Sequence, residues 1–351
     1  MTEIPKLLDQ LLRAPGPSGY EAPASSVWRQ AASFASLETD GIGSSIARVG
    51  DADARPLIAV VGHIDEVGLG VTHIDEKGFA YFTPIGGWDP QILVGQRVEI
   101  QTKDGPVLGV VGRKPIHLLK EDQRKNAVKL DGLHIDVGAA DGDQAKTMLR
   151  IGDPAVIDAA PAQLVGERVI SRSMDNRLGA YIALEFARRC EERGGYAGGV
   201  AGVAAVQEEI GIYGGGTSAF ALAPDLAVAV DVTHATDAPG VDEKQNGSHA
   251  LGSGPVIGRG STLSPKVFEL LVETAEREGI EYTVEASGRR TATDADAIQI
   301  SKSGIATGLV SVPLRYMHSP VEMVDLRDVE GAIELLVAFA TSVDADVDLS
   351  R

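Results

Sequence analysis

The sequence predicts an α/β fold, a mixed sheet flanked by helices, interrupted by an inserted small β-barrel-like domain. Three observations carry this. Four short apolar runs, LIAVVG (57–62), GVAGVAAV (199–206), LAVAV (226–230) and ATGLVSV (306–312), are continuous rather than alternating, as strands covered on both faces are. Helical patterns lie between or after them, near 175–193, 263–279, 294–303 and 327–343. From about Val67 to Leu164 the chain instead shows Gly, Asp and short alternating segments such as GQRVEIQT, VLGVVG and KLDGLHIDVG, the pattern of an antiparallel β unit with turns. The expected division is 1–66 with 165–351 as one α/β domain, and 67–164 as the insertion.

The elements follow in order. An opening helix over Ile4–Arg13 places Leu7, Leu8, Leu11 and Leu12 on one face and stops at Pro15-Gly16-Pro17. The helix near 263 has Ser261 or Thr262 as candidate caps, with Pro265 suited to its first turn. The chain has 351 residues, enough to bury a sizeable core, and 50 acidic against 32 basic residues give a net charge of −18. That balance argues against nucleic acid or an anionic membrane as partner. One cysteine, Cys190, excludes an intramolecular disulfide framework and is expected as an inert thiol, buried or half-buried. No secretory signal or membrane-length apolar stretch is visible, so a cytoplasmic location is expected.

Each apolar run leads to a potential metal ligand: His63 and Asp65 after the first, Glu208 and Glu209 after the second, Asp231 at the third and His318 after the fourth. In open α/β sheets such groups gather beyond the carboxyl ends of the strands. Asp175, in SRSMDNRLGAY, opens a helix facing that edge. Mixed imidazole and carboxylate ligands suit zinc, with cobalt or manganese as further choices. Single motifs are weak, because HID occurs at His63, His73 and His134. His63 closes the buried run, whereas His73 and His134 fall on half-exposed strands and read as ordinary histidines. Glu208-Glu209 alone reads equally well as a solvated surface pair. The combination decides.

The stretches PGPSGYE (15–21), GHIDEVG (62–68), GGWDPQ with GQRV (86–98), SMDNRLG (173–179), QEEIG (207–211), DVTHATD (231–237) and YMHSPVE (316–322) run in order across nearly the whole chain. In them the sequence closely resembles the tetrahedral aminopeptidase and glutamyl aminopeptidase family of di-metal metallopeptidases. The resemblance implies a metallopeptidase domain with an inserted β domain, and two divalent ions per subunit. Asp175 would bridge them, with His63 and Asp231 completing one site and Glu209 and His318 the other. Glu208 would be the general base, and Asp65 would fix the His63 ring. A cis peptide at Asp175–Asn176 is implied as well. So are peptide substrates and a homo-oligomer, a dimer at least and commonly a dodecamer, paired through the insertion that carries Trp88. By itself Trp88 reads as packing. Competing readings are a related deacylase of N-acyl amino acids and a non-catalytic binding protein on the same fold. Arg289 and Arg290 stand as solvated residues or as contacts to substrate, and the preferred N-terminal residue is not legible.

Overall fold

The computed structural model describes residues 3–51 and 53–350; Met1, Thr2, Ala52 and Arg351, all in the stretches assigned to the larger domain, lie outside the described residues. The first three strands are β1 (Ser36–Thr39), β2 (Ser45–Val49) and β3 (Leu57–His63). Six more form a closed antiparallel barrel: β4 (Gly68–Ile74), β5 (Phe79–Ile85), β6 (Arg97–Thr102), β7 (Gly105–Arg113), β8 (Leu133–Asp136) and β9 (Pro154–Ile157). The chain then supplies β10 (Ala162–Gln163), β11 (Arg168–Ser171), β12 (Gly199–Ala205), β13 (Leu226–His234), β14 (Val256–Gly260), β15 (Thr283–Ser287), β16 (Ala306–Leu314) and β17 (Glu322–Asp325). The main sheet has eight strands in the order β1-β2-β12-β3-β13-β16-β14-β15. Its centre, β12-β3-β13-β16, is parallel, and antiparallel pairings of β2 with β12 and of β14 with β16 make it mixed. Strands β10, β11 and β17 form a small separate sheet.

The apolar runs became the central strands for the reason their composition suggests. Every residue of β3 and β12 is buried, so neither face needs polar side chains. One apolar cluster, with Trp28, Phe186 and Phe339 at its heart, covers one face; a smaller one, with Ile46, Leu57 and Leu309, covers the other. The opening helix runs from Lys6 to Arg13 and buries Leu8, Leu11 and Leu12. The expected helices near 175–193 and 327–343 are Met174–Arg193 and Leu326–Ser342. Two expectations are corrected. Ser264, not Ser261 or Thr262, caps helix Pro265–Glu278, its hydroxyl accepting from the Val267 N–H at 3.4 Å with Pro265 in the first turn. The helix expected over 294–303 is only Ala295–Ile298, because Lys302 at φ 53° and Gly304 at φ 102° turn the chain left-handed. Helix 22–31, helix 213–222, and strands β1, β2, β14, β15 and β17 were not anticipated.

Helix 174–193 lies across β3, β12 and β13, and it lies close. A Cβ added at Gly62 would come 2.1 Å from the Gly179 carbonyl carbon, and one at Gly179 would come 2.6 Å from the Val230 carbonyl oxygen. Only hydrogen fits between these backbones. Cys190, on the same helix, is buried, and burial pushes its thiol up to about 12. In the barrel, His73 is exposed and His134 packs edge-on against Phe79 with ring centres 4.9 Å apart, as ordinary histidines. Trp88 packs against the barrel core and donates its indole N–H to the Gly68 carbonyl at 2.9 Å. Among the described residues no helix is long and apolar enough to cross a membrane.

The glycine contact gives a test. Gly62→Ala should drive the helix off β3 and lower stability by about 1–3 kcal/mol or more, the usual range for overpacking. Gly70→Ala in the barrel, whose Cβ would meet nothing nearer than 3.7 Å, serves as the control. Equal melting temperatures for the two variants would refute the steric account.

Candidate metal centre at the carboxyl edge of the sheet

His63 ends β3 opposite Ala205 of β12, and the β3–β13 register, Val61 against Ala229, brings Asp231 level with it two residues on. Glu208 and Glu209 follow β12 directly, and His318 follows β16. Asp175, the second residue of helix 174–193, meets them from above the sheet. The five separated segments expected to converge therefore do. His63, Asp175, Glu208 and Asp231 are buried, while Glu209 and His318 are half-buried beside them.

Asp175 sits between the two imidazoles. Its Oδ1 is 3.2 Å from His63 Nε2 and its Oδ2 is 3.4 Å from His318 Nε2. Glu209 Oε1 lies 3.3 Å from His318 Nε2, Glu208 Oε2 lies 3.8 Å from His63 Nε2, and Asp231 Oδ1 lies 4.0 Å from the same nitrogen. Among the described residues, ligand atoms of His63, Asp175 and Glu209 fall within 4.8 Å of one another, close enough to hold one metal ion together. This group cuts across the two sets that the sequence suggested, with Asp231 and His318 at its flanks. His318 Nδ1 faces the Gly87 carbonyl at 2.7 Å, and His63 Nδ1 faces the Asp65 carbonyl at 3.3 Å. Those acceptors place the ring proton on Nδ1 and turn Nε2 toward the carboxylates. The Asp175–Asn176 peptide is cis.

Asp65 does more than touch His63. Its Oδ1 accepts from the Glu208 N–H and its Oδ2 from the Glu209 N–H, both at 3.1 Å, and Ser18 donates to Oδ2 at 2.5 Å. Glu21 accepts from the N–H of Gln207 at 3.2 Å. Two carboxylates thus hold three successive backbone N–H groups of the loop that presents Glu208 and Glu209. Glu322 performs the same task opposite, accepting from the N–H groups of Asp175 (3.1 Å) and His318 (2.8 Å). Behind the loop Glu66 binds Arg172 and, at 3.0 Å, the fully buried Arg177, which also donates to the carbonyls of Leu11 and Ala14. Burial lowers Arg177 to about 10 despite Glu66. Ser18, Glu21, Glu66 and Glu322 were not singled out from sequence, although all lie in the matched motifs. Neither was Asp294, which accepts from the Gly215 N–H at 3.1 Å while its Oδ2 has no partner. Burial, reinforced by Asp65 and opposed by His63, raises it to about 6.

The site opens on a cavity of about 570 Å³ lined by five carboxylates (Asp175, Glu208, Glu209, Asp231 and Glu285) and three histidines, with no lysine or arginine. Burial and the charges of Asp231, Asp294 and Glu209 push Glu208 up to about 10 despite His63. Burial likewise carries Asp231 and Glu322 well above the usual carboxylate range, and Glu209 above it. For His63 and His318 burial opposes protonation, but the surrounding acids prevail: His63 lies well above the ordinary imidazole value and His318 at about 11. Asp175 is held low, its two imidazole partners outweighing burial. Glu209 Oε1 is buried and faces His318 Nε2 at 3.3 Å. Acids this crowded, with imidazole nitrogens turned among them and no basic side chain, fit a cation.

An α/β protein with an inserted barrel and an acid-rich, histidine-bearing centre at the carboxyl edge of its sheet is the class that fold and site define. The M42 glutamyl aminopeptidase model matches residues 43–335, and the chain belongs to that family. It is thereby a peptide hydrolase of the aminopeptidase kind, as its resemblance implied. It is 34% identical to the lysyl aminopeptidase of Pyrococcus furiosus over 340 residues, 95% of each chain. The TET aminopeptidase of a marine-sediment thaumarchaeote superimposes with a TM-score of 0.91 at 30% identity, covering 97% of this chain and 96% of that one. The Pyrococcus horikoshii TET1 peptidase, which can assemble into a tetrahedron or a large octahedral shell, gives 0.85 at 31% identity, covering 96% and 99%.

The charges give a pH test. With raised carboxylates and raised imidazoles, the folded chain's own groups hold more protons than the unfolded chain at about pH 6–9, so stability there falls as pH rises. The lowered Asp65 and Asp175 act in the opposite sense only at acid pH. Chelator-treated protein should therefore lose melting temperature across that window, and a saturating divalent cation should abolish the loss. A melting temperature that climbs with pH in chelator would contradict this.

Proposed function

We propose that the chain is a metal-dependent aminopeptidase that removes N-terminal residues from peptides at a two-cation centre. Asp175 would be shared by the two cations, with His63 and Asp231 helping to hold one and Glu209 and His318 the other. Zinc is the first choice for this donor set, with cobalt or manganese next. The observation that carries the reading is the pair of Asp175 oxygens, each facing a different imidazole at 3.2 and 3.4 Å. When bound, two such cations acidify a water and polarise the scissile carbonyl.

Glu208 takes a proton from the attacking water and returns it to the leaving amine. It stands beside His63 but is not a bridging donor, and its carboxylate is ionised once the neighbouring acids are neutralised. Asp65 is a positioning residue: it orients the His63 ring and fixes the backbone of Glu208 and Glu209 through both oxygens. The family membership and the intact set of acids support this over a binding protein that kept only the fold.

We further assign residues 1–66 and 165–351 to the catalytic domain and 67–164 to an insertion that pairs subunits. Leu108, Val110, Ile116 and Leu118 leave apolar surface exposed on that insertion, in support of a homodimer at least. A solved TET1 structure that is 30% identical to this chain, a dodecamer in its asymmetric unit, supports assembly to a dodecamer.

With metal replete, Glu208→Gln should keep its cations and melting temperature yet lose on the order of 10²-fold or more in kcat. Asp175→Asn should lose bound metal instead, read by elemental analysis. Near-normal turnover of metal-replete Glu208→Gln would remove Glu208 from its role. Light scattering after size exclusion tests the assembly, and a strict monomer at micromolar concentration would refute it.

A further inference from the structure

One carboxylate in the cavity is unused by the two-cation set. Glu285 lies on β15, the edge strand of the main sheet, opposite Gly258 of β14. Its Oε1 accepts from the Thr233 hydroxyl at 3.1 Å. Thr233 is two residues beyond Asp231 on β13, so the two side chains share a face about 7 Å apart along the strand. Glu285 therefore closes the cavity roughly one side-chain length from the acids that face His63. Among the described residues no lysine or arginine lies within ion-pair distance of it, and none lines the cavity. Arg290, a few residues on, turns to Asp296 at 3.4 Å, and neither it nor Arg289 is part of the cavity wall. Leu309, on the same face of the sheet as Asp231, lends the wall apolar surface.

A carboxylate at the far end of an otherwise partly apolar pocket is matched by a cation on a flexible aliphatic stem. We propose that Glu285 is the specificity residue of this site and selects peptides whose N-terminal side chain is lysine or arginine. The stem lies along Leu309, and the ammonium or guanidinium meets Oε2, the oxygen that Thr233 does not hold. An N-terminal glutamate is repelled by the same charge, and an N-terminal leucine leaves it unpaired. The inference rests on the aminopeptidase reading and adds the substrate class to it.

The test uses the full-length enzyme, reconstituted with divalent cation, on the p-nitroanilides of lysine, arginine, leucine and glutamate. Lysine and arginine should exceed leucine and glutamate in kcat/KM by about tenfold or more. Glu285→Gln retains the acceptor for Thr233 and should lower the lysine-to-leucine ratio by about 10- to 100-fold, mainly through KM, the scale of a lost charged hydrogen bond. Glu285→Lys should move the preference toward glutamate. Wild-type preference for leucine or glutamate overturns the proposal whatever the variants do. So does a Glu285→Gln enzyme that loses the same factor on all four substrates, since Glu285 would then hold the common α-amine or act through the fold. Absence of turnover on all four overturns the aminopeptidase reading and this proposal with it; turnover without the basic preference overturns this proposal alone.

Discussion

Negative charge packed at one sheet edge without a basic side chain to answer it is the constraint around which this molecule is arranged. Asp175, Glu208, Glu209 and Asp231 meet within a few ångströms of two imidazoles, and most of this set is out of contact with solvent. Burial of unpaired carboxylates is costly, and their raised proton affinities express that cost. The contrast with the other side of the same loop is instructive. There Glu66 is answered by Arg172 and Arg177, and the guanidinium of Arg177 further satisfies carbonyls of the N-terminal segment. The fold can place an arginine beside a buried acid. At the cavity it does not, and that asymmetry separates a structural ion cluster from a site that awaits a cation.

Holding such groups together requires backbone as much as side chain. Among the described residues, six of the eight non-glycine residues with left-handed backbone, Ser173, Gln207, Ile212, Ala292, Tyr316 and His318, flank the cavity segments. Conformations of this kind persist where surrounding contacts over-determine them. Here the contacts are visible: Glu21 and Asp65 hold the N–H groups of residues 207–209, and Glu322 holds those of Asp175 and His318. Acids that touch no substrate thus fix the acids and imidazoles that face the cavity.

The barrel takes part in this arrangement. The Gly87 carbonyl, just beyond β5, sets the tautomer of His318, and Trp88 ties the same turn to Gly68 at the start of β4. The turn that orients a candidate ligand is therefore anchored in the inserted barrel.

Much of this was legible in the order of residue types. Runs with no polar residue on either face, such as 57–62 and 199–205, are stable inside a sheet covered on both sides, so the α/β class and the strand ends carrying His63, Glu208, Glu209 and Asp231 follow from local pattern. The same pattern placed His318 after the fourth run and Asp175 at a helix start, and the seven ordered motifs added the family and the roles that it implies for these residues. Ser18, Glu21, Glu322 and Glu285 could not be assigned this way, because a hydroxyl or carboxylate acquires its task only from the N–H, hydroxyl or open cavity that lands beside it. Ser264 replaced the expected caps, and the 294–303 helix shortened, because single-residue backbone geometry is settled by tertiary neighbours. Local pattern, then, determined the layers and the chemical types at the sheet edge. Only the packed chain decided which acids are balanced by arginine, which by backbone, and which by neither, since charge balance depends on distances between segments far apart in sequence.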